Sequence, residues 1–249
     1  MNVIKNTVEH FRRVTGKNWP QPVKYFGGGV NGRVYETNNG RLMKITQGNS
    51  SNEFKAMLAL STTRAAPRVV RNNVAVARVG NLKNTINKAL FPNSKFNGNT
   101  YTIFFMNKVG GNRGMTAENY KKKFINANNV NAGTKERRWR NMQMRIEHLV
   151  TSIHEKGIVH QNLHFGNFIV EVTPTGNISR MWLIDFGRSK KMNQMNVRNI
   201  SNNNNLNWRY GINYNFKKVA NRRKFAQNEL AKYYTEPRRP AVLGRSKSF

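Results

Sequence analysis

Apolar and polar residues alternate along residues 23–46, a pattern that predicts three short β-strands. The strands correspond to Val-Lys-Tyr-Phe, Arg-Val-Tyr-Glu-Thr and Arg-Leu-Met-Lys-Ile-Thr. A glycine-rich loop joins the first two strands, and Asn38-Asn39-Gly40 predicts a hairpin turn between the second and the third. The residues before the first strand are expected to form a helix.

Two longer segments show a helical period instead. Apolar residues at i, i+3 and i+4 predict a helix over 51–61, with Ser51 or Asn52 as its N-cap. Five apolar residues trace one helical face over 139–154, and Gly157 is expected to end that helix.

Further strands are predicted where apolar residues run together. Residues 100–111 form a near-continuous apolar run closed by two glycines, which is typical of a buried strand that leads into a linker. Residues 73–79 alternate like a strand, and 167–172 and 180–186 predict two more around a turn. Beyond Gly187 the sequence is polar and rich in asparagine before a last helix at roughly 217–234 and an extended basic tail. The predicted fold class is α+β.

Composition narrows the partners that the chain could have. Its 249 residues carry 43 Lys and Arg against 11 Asp and Glu, and the resulting charge of +32 favours partners with phosphate or carboxylate groups. The absence of cysteine excludes disulfides, thiolate zinc sites and a cysteine nucleophile, and it fits an intracellular or virion setting. We expect neither secretion nor a membrane span, because no long apolar run occurs.

The glycine loop provides the first candidate for chemistry. Gly27, Gly29 and Gly32 match the pattern G-x-G-x-x-G, and Val34 follows two residues later. The loop lies between two predicted strands and does not open a helix, which argues against a dinucleotide-binding fold. Glycine clusters are commonly plain turns, but this context favours a flap whose backbone closes over phosphates.

Two charged residues follow the loop at suggestive positions. Lys44 lies on the third predicted strand, where its ammonium could reach nucleotide phosphates, and Glu53 on the next helix could pair with it. Each has an ordinary alternative, since a strand lysine and a helix glutamate are usually surface residues.

The segment His-Gln-Asn-Leu-His-Phe-Gly-Asn at 160–167 carries the more specific pattern. His160, Asn162 and Asn167 fit H-x-[D/N]-x-x-x-x-N, and 18 residues after Asn167 come Asp185-Phe186-Gly187 at the end of an apolar strand. The order, spacing and strand placement of these residues all agree with a phosphoryl-transfer site.

From about Lys24 to Ser189 the chain therefore resembles the protein-kinase-like fold. It is similar to divergent kinases with an H-G-D-L-H-x-G-N loop and to the reduced serine/threonine kinases of large DNA viruses. The resemblance implies a β-rich N-lobe at 1–107, a shortened helical C-lobe at 108–235 and a basic extended tail at 236–249. It also implies ATP and Mg²⁺ as cofactors.

The resemblance assigns a role to each motif residue of the first half. Gly27, Gly29, Gly32 and Val34 would cover the nucleotide, and Lys44 would contact its α- and β-phosphates. Glu53 would hold Lys44 in place. Phe105 to Val109, including Met106, would form the hinge against which adenine packs.

The second half would supply the metal ligands and the catalytic residue. Asp185 would chelate Mg²⁺ with Asn167 as the second ligand, and His160 would buttress the loop. Asp185 is the only aspartate in a chain with 39 asparagines, which supports a role that asparagine cannot fill.

Asn162 departs from the resemblance at the catalytic-base position. Active relatives have an aspartate there, and an asparagine amide cannot accept a proton at neutral pH. Gln161 also replaces the usual arginine, so an activation-loop phosphate would find no guanidinium at that position. These departures indicate a pseudokinase or a slow kinase.

Three functions stay open on the sequence alone. The first is a viral kinase-like protein that binds nucleotide but has impaired phosphotransfer. The second is a structural or packaging component of the virion whose basic surface, including Lys121–Lys123, Lys135–Arg140 and Arg238–Arg245, binds DNA or acidic capsid proteins. The third is an active kinase. The host cytoplasm or the virion is the expected location in each case.

Overall fold

The computed structural model describes residues 1–29 and 32–191. The predicted helix at 217–234, the tail at 236–249 and two residues of the glycine loop, Val30 and Asn31, lie outside the described residues. So does the basic segment at 238–245.

The amino-terminal part is built on a five-stranded antiparallel sheet with strand order β1-β2-β3-β5-β4. The three strands predicted for residues 23–46 are confirmed, and the apolar run at 100–111 contains a further strand of the same sheet. The strands are β1 (Pro22–Gly28), β2 (Gly32–Thr37), β3 (Leu42–Gln47), β4 (Val69–Arg78) and β5 (Thr100–Met106).

Helices cover both faces of this sheet, and this explains why β5 is apolar without alternation. One face packs against α1 (Asn2–Thr15) and α3 (Lys83–Leu90) in a cluster that includes Trp19. The other face packs against α2 (Ser51–Ala59), where the rings of Phe54 and Phe104 meet edge to face.

The carboxyl-terminal part combines a long helix with short strands. A three-stranded antiparallel sheet has the order β6-β8-β9, and a two-stranded ladder pairs β7 with β10. The elements are β6 (Gly114–Thr116), α4 (Ala117–Tyr120) with a π-helical turn (Lys121–Ile125), α5 (Ala132–Glu155), β7 (Ile158–Val159), β8 (Phe168–Val172), β9 (Ile178–Leu183) and β10 (Lys190–Lys191). One apolar cluster joins α2, α5, β8 and β9.

Several predicted boundaries are wrong for identifiable reasons. Helix α2 has Ser50 as its N-cap, one residue before the expected candidates. Helix α5 begins at Ala132 instead of residue 139, because its first turns are polar and show no apolar period. Asn131 is the N-cap of α5, and its side-chain oxygen accepts a hydrogen bond of 2.8 Å from the backbone amide of Thr134.

The linker between the two sheets passes close to β6 and β8. Gly110 has a φ of 87°, and a Cβ at that position would lie 2.7 Å from the Cα of Gly114 and 3.2 Å from Ile169. Only glycine fits both constraints. This close approach brings the linker against β6 and β8. Within the described part of the chain, no helix combines the length and apolar character that a membrane crossing needs.

Candidate functional site

Lys44, Glu53 and Asp185 converge as the sequence predicted. The Nζ of Lys44 donates to Oε1 of Glu53 at 2.6 Å and to Oδ1 of Asp185 at 3.0 Å, although Asp185 is 141 positions away in the chain. Strand β3 supplies the lysine, the first turn of α2 supplies the glutamate, and Asp185 follows β9. Glu53 is buried, whereas 47% of the Asp185 side chain is exposed to the cleft.

Burial and charge act in opposite directions on these three groups. Burial lowers the pKa of the Lys44 ammonium, but attraction to Glu53 and Asp185 outweighs it and the pKa is raised. Burial raises the pKa of the Glu53 carboxyl despite the adjacent lysine. Burial also acts to raise the pKa of Asp185, yet Lys44 lowers it below its ordinary value. Asp185 is therefore held as a carboxylate, as a metal ligand requires.

The backbone at Asp185 turns its carboxylate toward Lys44. Asp185 adopts a left-handed conformation with φ 63° and ψ 63°, a region that aspartate tolerates better than most residues. The next residue, Phe186, is fully buried, and its ring lies 4.8 Å from that of His160. The buried phenylalanine thus anchors the turn that presents the carboxylate.

His160 ties the 160–167 loop to the strand that precedes Asp185. Its ring is fully buried, with Nε2 2.9 Å from the carbonyl oxygen of Ile184 and Nδ1 3.3 Å from the amide of Asn162. Nε2 is then the donor and Nδ1 the acceptor, which defines a neutral tautomer. Burial lowers the pKa of His160 to about 4, so the imidazole cannot serve as a proton carrier near neutral pH.

Hydrogen bonds from its side chain and its backbone hold Asn167, which is buried, in the loop. Its side-chain Nδ2 donates to the backbone carbonyl oxygen of Asn162 at 2.8 Å. Its backbone carbonyl oxygen accepts from the backbone amide of Ile184 at 2.9 Å. The second contact fixes Asn167 beside the strand end that carries Asp185.

The two residues fit the requirements of Mg²⁺ when the ligand contributes as well. Asp185 and Asn167 offer one carboxylate and one amide oxygen, and Mg²⁺ in nucleotide sites takes few protein ligands and fills its octahedron with phosphate and water oxygens. Among the described residues no group of three or more His, Cys, Asp and Glu forms an all-protein metal site.

The described part of the glycine loop lies over Lys44. The amide of Gly29 donates to the carbonyl of Gly32 at 3.0 Å, which closes the loop, and a Cβ at Gly32 would lie 3.0 Å from Cε of Lys44. Val34 pairs with Lys44 across β2 and β3. Gly27 lies within β1, where it pairs with Val34 of β2.

The predicted hinge needs one correction. Phe105 is buried on the sheet face that carries α1, where its ring lies 5.7 Å from that of Trp19. Its side chain therefore faces away from Lys44 and cannot pack against adenine. Phe104 and Met106 point to the other face, and Phe104 pairs directly with Lys44 across β3 and β5.

Phe26 is a candidate that sequence reasoning missed. Its side chain is about half exposed, and the ammonium of Lys108 in the linker lies 5.2 Å from its ring centre. Lys108 in turn pairs with Glu36 on β2 at 3.1 Å. Phe26 thus bridges the glycine loop and the linker, where an adenine would need an apolar wall. Its position immediately before Gly27 was the available signal.

Two buried histidines predict loss of stability in acid. Burial lowers the pKa of His154 to about 3 and that of His160 to about 4. Below the ordinary pKa of about 6.5 the unfolded chain takes up these protons while the folded chain does not, so stability is lost as the pH falls from about 6.5 toward 4. The loss is on the order of 3 kcal/mol for each histidine.

Urea unfolding at several pH values measures this loss. We expect His154→Leu, which removes one of the two groups, to show a shallower fall in the free energy of unfolding between pH 6.5 and 4 than the parent. An identical slope in the variant would contradict the assignment to His154.

Comparisons with known proteins agree with this geometry. Residues 121–227 match a family model described as the lipopolysaccharide kinase (Kdo/WaaP) family, and the match includes the 160–167 loop and Asp185. None of the curated proteins matches the sequence.

One solved structure is similar in fold, and a second matches with a lower TM-score. One is described as WaaP in complex with acyl carrier protein, with a TM-score of 0.51, 14% identity and coverage of 90% of this chain and 96% of that chain. The other is a BubR1 kinase domain, with a TM-score of 0.46, 18% identity and coverage of 72% and 49%. The chain has a kinase-like fold of mixed helix and sheet.

Proposed function

We propose that this chain binds ATP with Mg²⁺ in the cleft between β3 and Asp185 and that its phosphoryl transfer is impaired. The observation that carries the proposal is the assembled trio of Lys44, Glu53 and Asp185 beside a loop in which Asn162 stands at the base position. The family match over residues 121–227 supports a phosphotransferase ancestry for that loop.

Each residue of the trio would act through position and charge. Lys44 would exchange one of its carboxylate partners for the α- and β-phosphates while Glu53 keeps the ammonium in place. Asp185 and Asn167 would hold Mg²⁺, which when bound supplies charge neutralisation between the phosphates. The backbone of Gly27, Gly29 and Gly32 would close over the phosphates without side chains in the way.

Asn162 would limit the rate without preventing nucleotide binding. The carbonyl of its side chain can accept a hydrogen bond from an acceptor hydroxyl, but the amide cannot take the proton. Positioning and charge stabilisation supply most of the acceleration in phosphoryl transfer, so a slow reaction remains compatible with the site.

The acceptor that we favour is a carbohydrate hydroxyl. The support is the description of the matched family as lipopolysaccharide kinase, over residues that include the whole 160–167 loop. A protein serine or threonine is the alternative acceptor that the sequence suggested.

Nucleotide binding is expected to raise the melting temperature. At a ligand concentration 100 times the Kd, binding adds about 2.7 kcal/mol, which corresponds to roughly 5 to 10 °C for a chain of this size. We expect this rise with ATP and Mg²⁺ in differential scanning fluorimetry. In Asp185→Asn, which keeps the shape of the side chain, we expect the Mg²⁺-dependent part of the rise in melting temperature to be lost. Equal shifts in parent and variant, or none in the parent, would contradict the proposed pocket.

The remaining expectations stay predictions. These are viral origin, a location in the host cytoplasm or virion, the division into two lobes with a shortened carboxyl-terminal one, and DNA or capsid binding by the basic surface. The charge of +32 supports the binding of DNA or capsid proteins, whereas the other expectations rest mainly on the resemblance to kinases.

A further inference from the structure

A second concave surface lies outside the proposed nucleotide site. It is a groove of about 810 Å³ formed by residues 61–68, the linker residues 107–110, α5 and β9, and we call it the linker groove. Neither the trio of Lys44, Glu53 and Asp185 nor the two asparagines of the 160–167 loop line it. It joins the two parts of the molecule, since the amide of Leu183 bonds to Ala65 and that of Asn107 to Arg68, each at 2.8 Å.

Arginine dominates the charge of the linker groove. Four arginines, Arg64, Arg68, Arg145 and Arg180, line it together with Lys108, which pairs with Glu36 outside the groove. Glu171 is the only acidic residue among its described lining residues. Glu171 lies 3.9 Å from Arg180, whose side chain is 73% exposed, so this pair is loose and screened. The groove therefore presents a concave positive surface with little internal neutralisation.

One of these arginines is held in place. Arg145 donates to Oδ1 of Asn141 at 3.0 Å and to the carbonyl of Ser179 at 3.2 Å. An arginine oriented in advance loses less side-chain entropy when it pairs with a carboxylate.

Apolar side chains lie among the arginines. Met144 on α5 is 60% exposed, Trp182 on β9 is partly exposed, and both line the groove. Tryptophan, methionine and arginine are enriched at protein interfaces, whereas lysine is depleted there. The linker groove thus combines exposed apolar side chains with arginines.

The chain itself offers a poor occupant for this surface. Residues 192–249 contain twelve Lys and Arg and two Glu, so that segment would bring like charge to the arginines. A complementary occupant needs carboxylates for the rim and an apolar stripe for Met144 and Trp182.

We propose that the linker groove binds an acidic amphipathic helix of a partner protein. The apolar stripe of the helix would cover Met144 and Trp182, and carboxylates on its flanks would pair with Arg64 and Arg68 on one side and with Arg145 and Arg180 on the other. This is the helix-in-groove mode of recognition, with the charges setting specificity.

Fluorescence anisotropy with a designed probe tests the proposal. The probe is a labelled 18-residue helical peptide with one leucine stripe and glutamate elsewhere, compared with a polyglutamate peptide of equal length at physiological salt. We expect the amphipathic peptide to bind the full chain at least tenfold more tightly than polyglutamate. We expect Arg64→Glu with Arg180→Glu, and separately Met144→Asp, to weaken binding tenfold or more.

A matched control separates the groove from the general charge of the protein. Lys5→Glu with Arg13→Glu makes the same charge change as the double arginine variant, at two exposed positions of α1, and should leave binding within twofold. A blue shift of tryptophan emission that disappears in Trp182→Phe would place the peptide in the groove. The proposal is overturned by any one of three results. Polyglutamate binds as tightly as the amphipathic peptide, the double variant of Lys5 and Arg13 weakens binding as much as the groove variants, or duplex DNA displaces the peptide and depends on the same arginines.

Discussion

Replacing Asn162 by aspartate is expected to raise the rate of phosphoryl transfer roughly 10² to 10⁴-fold, the usual contribution of a positioned general base. The aspartate would accept the proton that the asparagine amide cannot take. Because Asn162 holds Asn167 through its backbone carbonyl, at 2.8 Å, the substitution leaves that contact intact. Transfer of radiolabelled phosphate from ATP to lipopolysaccharide and to a mixture of proteins measures the gain and identifies the acceptor class.

Gln161→Asp is the matched control for this gain. It adds the same charge one residue earlier, at a position whose left-handed φ of 63° an aspartate also tolerates. We expect no increase in transfer from this variant. If Asn162→Asp binds Mg·ATP as tightly as the parent and still transfers no faster, the loop does not perform base catalysis on either acceptor.

Replacing Lys44 by methionine is expected to destabilise the protein by about 3 to 5 kcal/mol, because it leaves a buried carboxylate without its partner. Glu53 can avoid part of this cost by taking up a proton, since burial already raises its pKa. A carboxyl with a raised folded-state pKa loses stability as the pH rises above its unfolded value. The loss relative to the parent should therefore be larger at pH 7 than at pH 5.

The double variant Lys44→Met with Glu53→Gln tests the origin of this loss. It removes the unpaired charge and should recover a large part of the stability, as measured by urea unfolding. Glu53→Gln alone should cost less than Lys44→Met, because Lys44 keeps Asp185 at 3.0 Å. A double variant as unstable as Lys44→Met would show that the loss comes from packing and not from charge.

The site was more predictable from the sequence than the helix boundaries. Lys44, Glu53, Asn167 and Asp185 lie in local motifs whose spacing reflects the strands and loops that carry them, and the structure brings the trio together. Asn162 stands where the resemblance implies an aspartate, and this departure can be read directly from the sequence.

The faces of β5 were not predictable in the same way. Six of its seven residues are buried, so the run carries no alternation from which to tell the side of Phe104 from that of Phe105. The face to which each β5 side chain points is set by the pairing of β5 with β3 and by the helices that cover each face of the sheet. Phe105 was accordingly assigned to the pocket, although it packs on Trp19.

Helices with few apolar residues were also not predictable from the sequence pattern. Helix α3 is defined by only two buried residues, Ile86 and Leu90, within an otherwise polar segment. Its position depends on packing against α1, which no local pattern records.

A crystal structure with a non-hydrolysable ATP analogue and Mn²⁺ in place of Mg²⁺ tests the central claim most directly. We predict anomalous scattering from Mn²⁺ bound to the carboxylate of Asp185 and the amide oxygen of Asn167, with the α- and β-phosphates on Lys44 and Phe26 against adenine. Nucleotide and metal bound elsewhere, with Lys44 still bridging Glu53 and Asp185, would contradict the account.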